Sequence, residues 1–167
     1  MKLKFYEVDG EYIKYLKENG DSRIPNIEYN KHKKFFCGMV LTINNFNYFA
    51  PVSSFNRKLH TVFLIKDKDK KTKEDKSISS LRFSFMFPCP IEFLSQKDFL
   101  KEDKKYQILL RKELHYCNVN IEKIKKQAIS VYKLGMNENT RKKYNICDFK
   151  KLEEKCLEYL SLKNTEK

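Results

Sequence analysis

Several short motifs that announce an enzyme are missing from this 167-residue chain: there is no GxxxxGK[ST] loop, no GxGxxG turn, no GxSxG elbow and no HExxH helix. Those absences remove the usual P-loop, dinucleotide, α/β-hydrolase and zinc-peptidase readings. Five cysteines (Cys37, Cys89, Cys117, Cys147 and Cys156) form no CxxC pair and no short Cys/His spacing. They sit mostly among apolar neighbours, read as small core residues, and argue against structural zinc. No paired carboxylates suggest an acid/base couple, because Glu153-Glu154 read as the solvated face of a helix. Asp69-Lys70-Lys71 fits the tail of a D/ExK nuclease pattern, but a Lys/Asp-rich loop makes such a match close to inevitable. The expectation is no metal and no cofactor. No basic segment followed by an apolar one opens the chain, and no apolar run could span a bilayer, so the expected setting is a reduced cytoplasm without membrane.

Acidic residues are also scarce. Lys and Arg number 35 against 22 Asp and Glu, a formal charge of +13. Self-repulsion of that size favours a polyanionic partner, nucleic acid first and an anionic membrane second. AT-rich coding is a plainer source of so much lysine. What is abundant excludes a disordered tail: 41% of residues are apolar, with 13 Phe and 10 Tyr. The length fits one domain over residues 1–167.

Alternation over 3–8 predicts a first strand, and Asp9 caps a helix with Tyr12, Ile13 and Leu16 inward, ended by Gly20. Residues 21–34 show no period and read as loop. A central strand over 35–43 turns through 44–47 into a partner over 48–52, and 61–66 forms another strand. The run 66–76 reads as a mobile, solvated hairpin loop. Leu81, Phe83, Phe85 and Phe87 alternate as a strand that Pro88 and Pro90 close. The period then becomes helical. Tyr106, Leu109, Leu110, Leu114 and Cys117 make one stripe; Ile121, Ile124, Ala128 and Val131 make a second, and Asp148 caps a last helix with Phe149, Leu152, Cys156 and Leu160 inward. The sum is an α+β fold: a twisted antiparallel, barrel-like sheet flanked by helices that lie mostly in the C-terminal half.

Two polar segments remain. Tyr29-Asn-Lys-His-Lys-Lys34 precedes the central strand, and Ser53-Ser54, Arg57-Lys58 and His60 follow its hairpin partner. If those strands pair, both segments leave the sheet at one end. A phenol (Tyr29), the cations of Lys31, Lys33, Lys34, Arg57 and Lys58, two hydroxyls and the His60 imidazole then share one concavity. RNA carries its own nucleophile, the 2′-OH. A ribonuclease therefore needs only a base, a cation for the crowded phosphate and an acid for the leaving oxygen. The same set could also hold a phosphate without cutting it. Singly, each residue has a plainer reading: a turn for the serines, solvated lysines, a core edge for Tyr29, and strand or helix-face positions for His60 and His115. Their convergence favours function.

Three stretches in order resemble the ToxN/AbiQ family of toxins from type III toxin–antitoxin and abortive-infection systems. "KFYEVDGEYIKYLKENGDSRIPN" is like the family's start; "FFCGMVLTINNFNYFAPVSS" looks like its core hairpin; "ISSLRFSFMFPCP" is similar to its later Leu/Phe strand. The resemblance runs over nearly the whole chain. It implies a metal-independent endoribonuclease leaving 2′,3′-cyclic phosphate ends on cellular or phage mRNA. It also implies inhibition by a repeated, pseudoknotted antitoxin RNA that the toxin cuts from a precursor, in a closed assembly, often of three toxins with three RNAs. No DNA partner is implied.

By that resemblance Ser53 and Ser54 match the Ser/Thr-Ser pair, Ser54 taking the functional serine's place, and Tyr29 matches the tyrosine before the central strand. The lysine falls on Lys34 counting back from Gly38, or on Lys33 counting forward from Tyr29. The family's Pro-Lys-x-x-His becomes Phe55-Asn56-Arg57-Lys58-Leu59-His60, so Arg57 or Lys58 takes the second cation's part. On this reading Lys34 orients or deprotonates the 2′-OH, Tyr29 shares the proton traffic, and Ser54, backed by Ser53, holds the phosphate. A phenol and an ammonium both start near pH ~10, so one of them must be lowered by burial or neighbouring cations.

Overall fold

A computed structural model describes residues 1–29 and 32–167, with all of their side chains except those of Glu28, Tyr29 and His32. Among the described residues the strands are β1 (Lys4–Val8), β2 (Glu28–Tyr29), β3 (His32–Lys33), β4 (Phe36–Ile43), β5 (Phe46–Ser53), β6 (Val62–Lys68), β7 (Asp75–Arg82), β8 (Phe87–Pro88) and β9 (Leu94–Gln96). The helices are α1 (Gly10–Asn19), α2 (Lys104–Val119), α3 (Ile121–Leu134), α4 (Glu138–Tyr144) and α5 (Phe149–Thr165). The architecture is α+β as expected, with an antiparallel sheet ordered β6-β7-β5-β4-β1-β9 and β8 paired to β5. Among the described residues this sheet does not close; β6 and β9 are its edges.

Helices α1, α2 and α5 are fixed where the sequence supplies a cap and an apolar stripe. Asp9 accepts from the backbone of Glu11 and Tyr12, Asp103 from Tyr106, and Asp148 from Lys151. Their buried stripes join Phe36, Phe49, Phe83 and Phe87 in one hydrophobic cluster. Helix α2 packs on β6, α3 on β4, and α5 on both β8 and α1. All five cysteines are free and buried. Among the described residues no helix is long and apolar enough to cross a membrane.

Differences from the sequence reading have local causes. The turn into β5 is Asn44-Asn45, with φ of 52° and 67°, so the strand begins at Phe46. The charged run 66–76 is a hairpin whose loop is confined to 69–74 and whose ends are ladder: Asp67 pairs Lys76 and Lys68 pairs Asp75, with the Lys68–Asp75 ion pair at 2.9 Å. The Phe alternation breaks, because β7 ends at Arg82 and Phe83–Phe85 is a 3-10 turn held by a bond from the Cys147 N–H to the Ser84 carbonyl. Strands β2 and β3, two paired residues each, are too short to show a period, and α4 has no apolar stripe to betray it.

Glu153 does not lie on a solvated face. It is buried, and its Oε1 accepts from the Tyr48 hydroxyl at 2.8 Å and from the Tyr132 hydroxyl at 2.7 Å. Two phenols replace the water that the carboxylate gives up. Glu154 is exposed, as read.

Candidate active site

Lys34 stands where β3 leads into β4. Its backbone N–H donates to the Ile27 carbonyl at 2.6 Å, and the next carbonyl, Phe35, accepts from Val52 N–H at 3.2 Å. The ladder Phe36↔Pro51 and Cys37↔Ala50 thus continues past the strand end, which brings Lys34 opposite Ser53. Ser53 in turn pairs Ser80 of β7. The sheet register alone therefore sets the lysine beside the serine pair.

The turn after Ser53 is tied three ways. The Ser53 Oγ accepts from the Phe55 N–H at 3.1 Å, the Ser80 hydroxyl donates to the Phe55 carbonyl, and the Phe55 ring lies 4.2 Å from the Arg82 guanidinium carbon. Arg82 also stands over Phe85, at 4.6 Å. Ser54, held between these anchors, is exposed.

Lys33, Lys34, Ser53, Ser54 and Arg82 line one cavity of about 430 Å³. Burial first, and the Arg82 charge second, pull the Lys34 ammonium down to about 8. Burial also lowers Arg82, which stays charged. Among the described residues the buried side-chain atoms without a hydrogen-bond partner are Ser79 Oγ, Arg82 Nε and Glu113 Oε2. All three residues line this cavity. Buried groups of this kind are rare and call for a reason, and a polar ligand in the cavity supplies one. Burial pushes the Glu113 carboxyl up to about 7, while Ser79 lies near enough to offset this slightly without reaching hydrogen-bond geometry.

The two polar segments are brought together only in part. Lys33, Lys34, Ser53 and Ser54 converge. The exposed Arg57, Lys58 and His60 do not reach this cavity. Lys58 lines a separate groove with Tyr116 and Lys123; the His60 ring faces Tyr144 at 6.0 Å, and its carbonyl accepts from Gln127. The Tyr29 side chain and all of Lys31 lie outside the described residues. Arg23 and Arg82 also line the cavity, and neither was among the site residues read from sequence; Arg82 is the one whose charge bears on Lys34. Its one signal was a charged residue inside the Leu/Phe-rich segment, at the point where strand gives way to turn. His115 is exposed on α2, as read. Among the described residues no three His, Cys, Asp or Glu side chains gather as metal ligands do.

Residues 4–157 match the family model described as toxin ToxN, type III toxin–antitoxin system. The chain belongs to this family. It is 31% identical to the endoribonuclease ToxN of Bacillus thuringiensis subsp. kurstaki, over 93% of this chain and 84% of that one. With the endoribonuclease AbiQ of Lactococcus lactis subsp. lactis it shares 29% identity, over 95% and 90%. A solved type III toxin, described as selectively inhibited by a non-coding RNA pseudoknot, superposes with a TM-score of 0.83 at 29% identity, covering 95% of this chain and 98% of that one. AbiQ, described as a lactococcal anti-phage endoribonuclease, superposes at 0.80 and 27% identity, covering 96% and 99%. The ToxN family thus supplies relatives that are endoribonucleases, and the fold they share is the one described above.

Proposed function

We propose that residues 1–167 act as one endoribonuclease unit. It cuts single-stranded RNA without a metal, by attack of a 2′-OH on its own phosphate, leaving a 2′,3′-cyclic phosphate and a 5′-OH. The observation that carries this reading is a lysine held near pH 8, beside Arg82 and across the ladder from Ser53-Ser54, in one cavity. A lysine so lowered is partly neutral near physiological pH and accepts the 2′-OH proton at Nζ. The 2′-oxygen then bonds to phosphorus, the P–O5′ bond breaks, and the 5′-oxygen takes up a proton, a step in which the Tyr29 phenol shares. Arg82 meets the negative charge that develops on the phosphate, the part the sequence reading gave to Arg57 or Lys58. Ser54 donates to a phosphate oxygen, and Ser53, occupied with the Phe55 N–H, holds Ser54 in place. The exposed Lys33, Arg57 and Lys58, with Lys31 and His60, extend the positive surface along which RNA lies.

By the same reading the natural inhibitor is a repeated RNA pseudoknot that the chain trims from its precursor and binds in a closed assembly, three copies with three RNAs. The role is defence against phage or maintenance of a plasmid, in the cytoplasm. Support comes from relatives described as pseudoknot-inhibited and anti-phage. The deciding experiment incubates the purified chain with single-stranded RNA in EDTA and maps the new 3′ ends. Cyclic phosphates, absent with Ser54→Ala and Lys34→Ala variants that still bind RNA, are the expected result. Salt-sensitive binding with intact RNA would make the site a phosphate cradle only.

A further inference from the structure

The cavity holds more than phosphate chemistry requires. At about 430 Å³ it is large enough for a nucleotide-sized ligand, since small-molecule pockets start at roughly 300 Å³. Its far wall is α2, whose Tyr106, Leu109 and Glu113 recur at helical spacing and all line it. Ile78 and Ser79 of β7 line it too. Glu113 and Ser79, 4% and 5% exposed, both line it, and Glu113 Oε2 and Ser79 Oγ are buried without a hydrogen-bond partner among the described residues. An acid has no use in holding phosphate; an ionised carboxylate repels it. Nor is Glu113 a counter-ion: it makes no ion pair among the described residues. The cavity therefore has a cationic section (Lys34, Ser54, Arg82) and a section with apolar sides and one acidic, hydroxylated edge.

A nucleobase has the complementary form: flat apolar faces and a polar edge. The geometry points to a base-reading subsite in which Glu113 Oε2 and Ser79 Oγ bind the Watson–Crick edge of an amino-bearing base next to the cut. The exocyclic amino group of adenine, cytosine or guanine donates to Oε2, and Ser79, as donor or acceptor, meets the neighbouring ring nitrogen. Uracil has no amino group there and sets carbonyl oxygens on both sides of its single N–H, so it is disfavoured once the carboxyl is ionised. Tyr106, Leu109 and Ile78 flank the faces of the base. This inference rests on the ribonuclease reading for what lies next to the base, but it assigns selectivity rather than cleavage.

Burying an unpaired acid is costly to the fold, which separates a reading residue from a structural one. Glu113→Met, apolar and of similar length, is expected to raise the melting temperature or leave it unchanged while base preference is lost. The test gives a randomised short single-stranded RNA pool to wild type and variant above pH 7 and sequences the cut ends. In parallel, a 2′-deoxy pool that cannot be cut is sorted into bound and free fractions. Wild type should prefer amino-bearing bases over uracil at one position near the cut by roughly 5- to 150-fold, the span of one good base contact. The E113M variant should cut and bind with that position flattened; a merely structural role would slow all sequences alike. If E113M does not fold, Ser79→Ala carries the same comparison. A variant that keeps the wild-type preference, or a wild type without one in either pool, overturns the subsite. Selective binding with no cutting by wild type would sink the ribonuclease reading and keep the subsite.

Discussion

In the proposed mechanism Lys34 is the base, and its titration gives the sharpest prediction. Burial and Arg82 both favour the neutral amine, so the lysine loses its proton near pH 8. As a base it is active in that neutral form; kcat should rise about tenfold per pH unit below this point and level above it. A falling limb above pH 8 would show instead that the ammonium is what the reaction needs. Arg82 lies against Phe55 and Phe85 through its planar face. Arg82→Ala should lower kcat by roughly 100- to 1000-fold, as loss of one transition-state donor does. Arg82→Lys should recover little of it, because a point charge does not stack as a guanidinium does; full recovery in single-turnover assays would reduce Arg82 to a generic cation. Lys34 and the serines were legible in sequence because they flank one hairpin and its register is local. Arg82, Ser79 and Glu113 were not, since they come from β7 and α2, and no period or spacing in the chain says which of their faces meets that hairpin.

At the scale of elements, the central hairpin depends on close approach. A Cβ at Gly38 would sit 2.0 Å from Phe49 Cδ1, and the Phe49 ring is itself engaged edge-on with Tyr6 at 5.4 Å. Gly38→Ala should therefore destabilise the fold by about 1–3 kcal/mol, read as a shift in urea midpoint at unchanged slope. An unshifted midpoint would mean that the hairpin has room the structure does not show. Strands β1, β4 and β5 and helices α1, α2, α3 and α5 could be read from the sequence, because caps and apolar stripes are strong local signals. Strand β6 and the hairpin connection after it could be read too; the extent of β7 could not, because the outer half of that hairpin is held by cross-strand charge pairs that look in sequence like a solvated tract. Nor could β9, three residues whose pairing to β1 closes over a separation no local pattern encodes.

For the molecule as a whole, a charge of +13 makes RNA affinity salt-dependent, with log K falling linearly against log salt. Lys58 lies in a groove apart from the cavity. Lys58→Ala should flatten that slope by about 0.7, one phosphate contact to single-stranded RNA, and leave kcat untouched. A lowered kcat with unchanged slope would return Lys58 to the chemistry.

The buried carboxylate that joins α5 to β5 also has a meaning in time. Translation delivers Tyr48 a full 105 residues before its acceptor, Glu153. Until that acceptor is made, Tyr48 on the strand carrying Ser53 and Tyr132 on α3 lack the carboxylate that joins them. A nuclease assembled in this order is incomplete while it is still attached to its own message. Nascent chains arrested before Phe149 should be protease-sensitive and leave RNA whole; robust cutting by such chains would mean the strand is set without its last helix. The carboxylate thus ties completion of the strand that carries Ser53 to the synthesis of α5.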